Sequence, residues 1–183
     1  MRIIAGEFGS RKLYTLEGKN TRPTLDKVKE AVFSSIGTYF EGGRVLDLYA
    51  GSGAIGLEAL SRGMKEAVFV DQARDAVGII KKNITALNLE DCTTVYSLTA
   101  KKALDVIEGK FDLVYLDPPY AKQENEEIIS LLETRGLLNP NAIIIVESLK
   151  EETFSNNIGN INKYKEAVYG ISRITYYCYE PKE

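Results

Sequence analysis

The chain has 183 residues, 44% of them hydrophobic, with 23 Lys and Arg against 26 Asp and Glu and a formal net charge of −3. That length holds one domain with a real core but not two of ordinary size, and the negative balance excludes a general attraction to nucleic acid, so any such surface must be local. Histidine is absent, which removes the commonest general base and the commonest transition-metal ligand and leaves carboxylates, backbone groups or a cofactor to carry any chemistry. No metal is expected. Residues 1–9 lack the apolar stretch of a leader, and no run approaches the roughly 18 apolar residues of a membrane span, so a soluble, cytoplasmic protein without a membrane partner is expected. Cys92 and Cys178 sit in no metal-type or redox cluster and read as reduced structural thiols.

Arg2-Ile3-Ile4-Ala5 and Arg11-Lys12-Leu13-Tyr14-Thr15 are short alternating pieces around Gly6 and Gly9, the pattern of a β-hairpin. Over residues 1–29 seven basic side chains (Arg2, Arg11, Lys12, Lys19, Arg22, Lys27 and Lys29) outweigh three acidic ones (Glu7, Glu17 and Asp26), a local balance of +4. The excess suits a phosphate-binding arm and equally a solvated edge hairpin blunted by charge. Thr21-Arg22-Pro23-Thr24 then leads into a predicted helix with Leu25, Val28, Val32, Ile36 and Phe40 on one stripe and Thr24 as N-cap. Pro23 holds Arg22 extended at the mouth of that helix, where it can meet an anion or merely shape a turn.

After Glu41-Gly42-Gly43 the pattern becomes a regular alternation. Strands are predicted at 44–49, 66–71, 93–97, 111–117 and 141–149, with helices near 54–63, 73–88, 100–108 and 124–134, which is the signature of a doubly wound α/β sheet with parallel strands. The ending differs: Lys163 to Val168 and Ser172 to Tyr179 are strand-like runs joined by Tyr169-Gly170-Ile171 with no helix between, so an antiparallel hairpin closes the sheet. Asn156 to Asn162 reads as a polar loop.

Two stretches carry chemistry. In Val45-Leu46-Asp47-Leu48-Tyr49-Ala50-Gly51-Ser52-Gly53-Ala54-Ile55-Gly56 an apolar strand, a carboxylate and a glycine turn run straight into a helix, the way a parallel strand delivers a small-molecule cofactor to a helix N-terminus. Gly51, Gly53 and Gly56 satisfy G-x-G-x-x-G, and Asp71 follows 20 positions after the first glycine, so the pattern alone admits a dinucleotide. In Phe111 to Leu116 a buried-strand pattern ends in Asp117-Pro118-Pro119-Tyr120. Two prolines cannot extend a central strand, so the chain leaves the sheet at its carboxyl edge, where ligands bind in this architecture. They also remove two backbone donors, leaving a stiff loop rich in acceptors. Asp117 and the Pro118 carbonyl can take the two hydrogens of an amino group, and Tyr120 offers a flat face for a planar ring.

Asp47 to Gly53 together with Asp117-Pro118-Pro119-Tyr120 resembles the S-adenosylmethionine-dependent amino-group methyltransferases. The resemblance extends over nearly the whole chain. Arg2-Ile3-Ile4-Ala5-Gly6-Glu7-Phe8, Gly9-Ser10-Arg11-Lys12-Leu13, Thr21-Arg22-Pro23-Thr24 with Asp26, Val28, Lys29, Glu30, Ala31 and Phe33, and Gly56-Leu57-Glu58-Ala59-Leu60-Ser61-Arg62-Gly63 all resemble the bacterial RsmD family. That family methylates guanine N2 in 16S ribosomal RNA. The resemblance implies a Rossmann-like class I methyltransferase fold with a mostly parallel seven-stranded sheet, a small basic hairpin arm over residues 1–23 and a methyltransferase domain over 24–183. It implies S-adenosylmethionine as methyl donor, held by Asp47, Tyr49, Ala50, Gly51, Ser52, Gly53, Asp71, Gln72, Thr99, Ala100 and Asp117. Catalytic roles fall to Asp117, Pro118, Pro119 and Tyr120, and RNA binding to Arg2, Arg11, Lys12 and Arg22. The partner implied is 16S ribosomal RNA or the small subunit, and a monomer is expected. The family commonly has an acidic residue where this chain has Thr99, whose hydroxyl would substitute in contacting the adenine amino group.

Chemistry supports that cofactor over a dinucleotide, because S-adenosylmethionine carries an ammonium and a sulfonium but no pyrophosphate. Asp47 would repel phosphates but balance the methionine ammonium, while Asp71 suits two ribose hydroxyls in either case. The proline loop also serves methyltransferases of DNA adenine N6 and of protein glutamine, and a non-catalytic RNA-binding or assembly module retaining the fold remains a further reading.

Overall fold

The computed structural model describes residues 1–16, 23–118 and 122–183. The elements run in the order α1 (Pro23–Ile36), β1 (Arg44–Leu48), α2 (Ala54–Ser61), β2 (Glu66–Val70), α3 (Arg74–Ala86), a short 3-10 turn (Glu90–Cys92), β3 (Thr93–Tyr96), α4 (Ala100–Val106), β4 (Phe111–Leu116), α5 (Lys122–Thr134), β5 (Leu138–Leu149), β6 (Asn157–Ile158), β7 (Ile161–Tyr169) and β8 (Ser172–Tyr179). They build one sheet in the order β3-β2-β1-β4-β5-β8-β7-β6. The first five of those strands are parallel, and β8, β7 and β6 add antiparallel. Among the described residues no helix is long and apolar enough to cross a membrane.

The α/β class and the closing hairpin agree with the sequence reading, whereas the sheet has eight strands rather than seven. The extra strand, β6, lies inside the stretch read as a polar loop. It is two residues long, too short to show periodicity, and pairs Asn157 with Asn162 and Ile158 with Ile161. Glu133 at the end of α5 fastens its turn, accepting the Asn160 N–H (3.0 Å) and side-chain amide (2.7 Å). β5 begins at Leu138, three residues early, because Asn139, Pro140 and Asn141 form an irregularity between the Phe111–Leu138 and Leu113–Ile143 pairs instead of a loop. The first helix begins at Pro23, whose missing N–H costs nothing at a first helical position. Thr24 therefore lies inside the first turn rather than capping it. The helix ends at Ile36, before Phe40. Gly37 turns the chain (φ 135), and Phe40 leaves the helix to donate its N–H to the Arg62 carbonyl (2.8 Å) while its ring meets Phe33 edge-on.

Two apolar layers flank the sheet. On one face Val32 and Phe33 of α1, Leu57 and Leu60 of α2 and Ile80 and Ile84 of α3 pack with Val45, Phe69, Leu113 and Ile145. On the other, Leu104 of α4 and Ile128 and Leu132 of α5 pack with Leu46, Val68, Val114 and Ile144. The chain steps from β1 to β2 to β3 in one direction and from β4 to β5 in the other, so the reversal falls between β1 and β4. The crevice at the carboxyl ends of those two strands is where this architecture binds ligands.

The N-terminal arm is a strap over α2. Its hairpin pairing is one antiparallel bridge, Arg2 with Lys12, extended by hydrogen bonds between Ile3 and Arg11 (2.9 Å) and Ser10 and Ile3 (2.8 Å). Ile3 and Leu13 are buried in the α1–α3 layer. Ser61 accepts the Glu7 N–H at its carbonyl (2.8 Å) and the Phe8 N–H at its hydroxyl (2.9 Å), which in turn donates to the Ala5 carbonyl (2.7 Å). Gly6 (φ 90) permits that approach, since a Cβ there would lie 1.9 Å from the Ser61 carbonyl oxygen. Glu58, fully buried on α2, accepts the Ile4 (2.9 Å) and Ala5 (3.1 Å) N–H groups and pairs with Lys29 of α1 (3.1 Å) and Arg62 (2.8 Å). One carboxylate thus joins arm, α1 and α2, paired and hydrogen-bonded as a buried charge requires.

Candidate cofactor and substrate cleft

A cleft of about 630 Å³ opens along the carboxyl ends of β3, β2, β1, β4 and β5. β1 ends at Leu48, and Tyr49 and Gly51, both at φ 59, turn the chain back. Ala50 donates to the Val70 carbonyl of β2 (2.9 Å) and Gly53 to the Ala50 carbonyl (2.8 Å), closing the loop. Gly53 (φ 82) is the residue before α2, and its carbonyl accepts the Leu57 N–H (3.0 Å). Gly56 has a different reason to be glycine. A Cβ there would lie 2.4 Å from Phe69 Cε1, so its absence lets α2 rest on β2.

The loop amides decide between ligands. Gly51 donates its N–H to Asp71 Oδ2 (2.9 Å) and Gly56 donates to Asp47 Oδ2 (3.0 Å). A dinucleotide loop aims such groups at a pyrophosphate, whereas here two of the three motif glycines aim them at carboxylates of the protein. Asp71 Oδ1 also accepts the Ala73 N–H (3.0 Å), which fixes the carboxylate while leaving lone pairs on both oxygens. Asp47 is buried, and burial pushes its pKa up to about 8 against the opposing Gly56 hydrogen bond. Below that pH burial therefore favours its neutral form, and a cation bound beside it would favour ionisation.

Among the described residues the cleft wall carries five carboxylates, Asp47, Asp71, Asp117, Glu124 and Glu147, and one cationic side chain, Lys29. Lys29 is already bound to Glu58 and to the Arg2 carbonyl, and burial lowers its pKa. This donor set fits a ligand with positive charge and hydroxyls, as S-adenosylmethionine is, and does not fit pyrophosphate.

Asp47, Tyr49, Ala50, Gly51, Ser52, Asp71, Gln72, Thr99, Ala100 and Asp117 all line the cleft. Gly53 is not on its wall and serves to start α2. Thr99 caps α4, its hydroxyl accepting the Lys102 N–H (3.3 Å). Pro118 is partly buried beside Asp117, off the wall. Arg22, Pro119 and Tyr120 lie outside the described residues. Arg2, Arg11 and Lys12 are exposed and not on the cleft wall. Arg2 lies 3.9 Å from Asp26, and Arg11 donates to the Ala86 carbonyl at the end of α3 (3.1 Å).

The sequence reading passed over Tyr115, Glu124, Glu147, Lys29 and the arm residues Met1, Thr15 and Leu16, all on the wall. Glu147 had a local signal: it is the carboxylate that ends the apolar run Ala142 to Val146 near the carboxyl end of β5. The cleft is also tied to the arm through Asn83 of α3, a buried amide. Its Oδ1 accepts the Tyr14 N–H (2.7 Å), and its Nδ2 donates to the carbonyls of Tyr14 (3.0 Å) and Ser52 (2.9 Å).

The family described as "Conserved hypothetical protein 95" matches residues 1–178. The chain is 38% identical over 180 residues to "Putative rRNA methyltransferase YlbH" of Bacillus subtilis, covering 97% of this chain and 98% of that protein. It is 37% identical over 158 residues to "Ribosomal RNA small subunit methyltransferase D" of Haemophilus influenzae, covering 83% of this chain and 80% of that protein. Among solved structures, "Putative methyltransferase yhhF from Escherichia coli" superposes with a TM-score of 0.88 at 34% identity, covering 100% of this chain and 99% of that one. Arm, glycine loop and proline loop fall within one continuous match, and the chain belongs to the RsmD family.

Proposed function

We propose that this protein transfers a methyl group from S-adenosylmethionine to the exocyclic N2 amino group of a guanine in small-subunit ribosomal RNA. Relatives named as ribosomal RNA small subunit methyltransferases support the RNA substrate. The observation that carries the chemistry is the acidic cleft at the β1–β4 reversal, which holds Asp47, Asp71 and Asp117 on three neighbouring strand ends.

Asp71 at the end of β2 would accept the ribose hydroxyls, Asp47 would balance the methionine ammonium, and Thr99 and Ala100 beyond β3 would border the adenine. When bound, the cofactor supplies a methyl group already activated by its sulfonium, so the protein's part is mainly alignment. Guanine N2 is a weak nucleophile because its lone pair is delocalised into the ring. Asp117 and the Pro118 carbonyl would accept its two hydrogens, favour a pyramidal nitrogen and stabilise the positive charge that develops there as the N–CH3 bond forms and the C–S bond breaks, and one N2 proton would then pass to Asp117 or to solvent. Pro119 and Tyr120 lie outside the described residues; from their chemistry, the proline would stiffen the loop and the tyrosine would offer a stacking face. Arg2, Arg11, Lys12 and Arg22 would hold RNA phosphates without reading bases.

The test is to incubate the protein with methyl-labelled S-adenosylmethionine and, separately, undermethylated small-subunit RNA or particles, DNA and a protein extract. Label at guanine N2 of the RNA is expected. Label found instead on adenine N6 or glutamine, or binding with no transfer, would overturn the proposal.

A further inference from the structure

We infer that Glu147 reads the N1–H of the target guanine and is the residue by which the site rejects bases that lack it. The inference rests on the proposed guanine-N2 reaction and deepens it.

The strand order lays the cleft out as a line. Thr99 follows β3, Asp71 follows β2, the glycine loop follows β1, Asp117 follows β4 and Glu147 lies near the end of β5. With adenine, ribose and methionine placed over the first three, the methyl group faces β4 and the acceptor base must lie over β4 and β5. In the parallel pair β4–β5, Tyr115 is opposite Ile145 and Leu116 opposite Val146, so Asp117 directly follows the last pair on β4 and Glu147 directly follows it on β5. Both line the cleft.

Glu147 is held as a recognising group is held. Its Oε1 accepts the Tyr115 hydroxyl at 2.6 Å, and among the described residues Oε2 takes no hydrogen bond. The phenol is buried, and burial together with the negative charge of Glu147, Asp117 and Asp47 raises its pKa well above the usual value. Burial raises the Glu147 pKa and the Tyr115 hydrogen bond opposes that rise. The cleft thus maintains a costly acid at its substrate end.

Guanine presents N1–H and N2–H side by side, two donors that suit two neighbouring carboxylates. Adenine offers a lone pair at N1, which Glu147 would repel. A polar group left facing the wrong partner rejects a base more strongly than a missing contact does.

The test uses the RNA guanine to which label maps, replaced by 2,6-diaminopurine, which keeps the N2 amino group but has a lone pair at N1. The unaltered protein is expected to prefer guanine by about 10² in kcat/KM, the size of one well-made base contact. Glu147→Gln keeps the volume and an acceptor for Tyr115 but puts an amide N–H₂ toward N1. It should lower guanine transfer, raise diaminopurine transfer and shrink the preference below about 10-fold, with S-adenosylmethionine affinity by calorimetry unchanged, which also shows the variant folded. Equal use of both bases by the unaltered protein, or a full preference retained by Glu147→Gln, overturns the inference. So does a fall in guanine transfer matched by an equal fall in cofactor affinity. Absence of guanine-N2 transfer by the unaltered protein is the separate outcome that overturns the proposed function itself.

Discussion

Gly56 donates its N–H to Asp47 across 3.0 Å, nine residues back in the chain, and by that bond the helix beside the proposed cofactor site is tied to a buried acid of β1. Burial holds the Asp47 pKa up to about 8 from 3.8, so between about pH 4 and 8 the folded protein keeps a proton that the unfolded chain has lost. Stability from this group therefore falls as pH rises through that window. A bound cation favours the ionised form, so binding of S-adenosylmethionine should release a proton below pH 8 and tighten as pH rises. Calorimetry in buffers of different ionisation heat measures the release directly. Asp47→Asn should abolish it and weaken binding; the same proton release from that variant would show that another group titrates.

Asp71 offers a second handle on the same loop. Its two oxygens fix the Gly51 and Ala73 amides and, in the proposed complex, accept the ribose hydroxyls. Hydrogen bonds to a charged group contribute about 1.5–3 kcal/mol, so Asp71→Ala should weaken cofactor binding by at least about tenfold. Titration calorimetry reads this, and an unchanged dissociation constant would refute the ribose role.

The third motif glycine makes a packing prediction. Gly56→Ala puts a methyl group 2.4 Å from the fully buried Phe69 ring, and overpacking of this kind typically costs about 1–3 kcal/mol. Urea denaturation should show that loss, and Phe69→Leu should make the alanine less costly than it is in the natural background. Additive effects of the two changes would mean the ring is not what the methyl meets.

These three positions show what was legible in the chain. The glycine loop follows Asp47 directly and Asp71 ends the next predicted strand, so a strand–turn–helix rule places all three without knowledge of the rest of the fold. Glu147 and Tyr115 touch only because β5 lies beside β4 in one particular register, which no local pattern states. Gly53 satisfied the motif, but its left-handed backbone serves the start of α2. β6 escaped because two residues carry no period, and its turn depends on Glu133 from α5, more than twenty residues away. The Arg2–Lys12 pairing was legible in the alternation, while the fit of Gly6 against Ser61, 55 residues on, was not.

Glu58 makes the arm and the domain one unit. Removing its charge leaves Lys29 and Arg62 buried, with side chains about 3% exposed, without their shared counter-ion. Breaking a buried ion pair from one side typically costs about 3–5 kcal/mol. Glu58→Gln should lower the denaturation midpoint accordingly and expose residues 1–13 to protease before the sheet unfolds. Cleavage in the arm no earlier than cleavage elsewhere would mean that Ser61 and the apolar contacts of Ile3 and Leu13 suffice to hold it.

The exposed cations of the arm should act through charge rather than shape. Arg2, Arg11 and Lys12 do not line the cleft, so replacing all three with Ala should leave S-adenosylmethionine affinity unchanged while weakening RNA binding. Each cation that neutralises a single-stranded phosphate steepens the dependence of log K on log salt by about 0.7, so removing all three should flatten the slope by about 2. Binding measured over a range of salt concentrations, on RNAs with different sequences flanking the target, separates the possibilities. A uniform loss across sequences with a flatter slope supports phosphate binding by the arm. An unchanged slope would remove the arm from the RNA interface, and a loss confined to certain flanking sequences would make it a reader of bases.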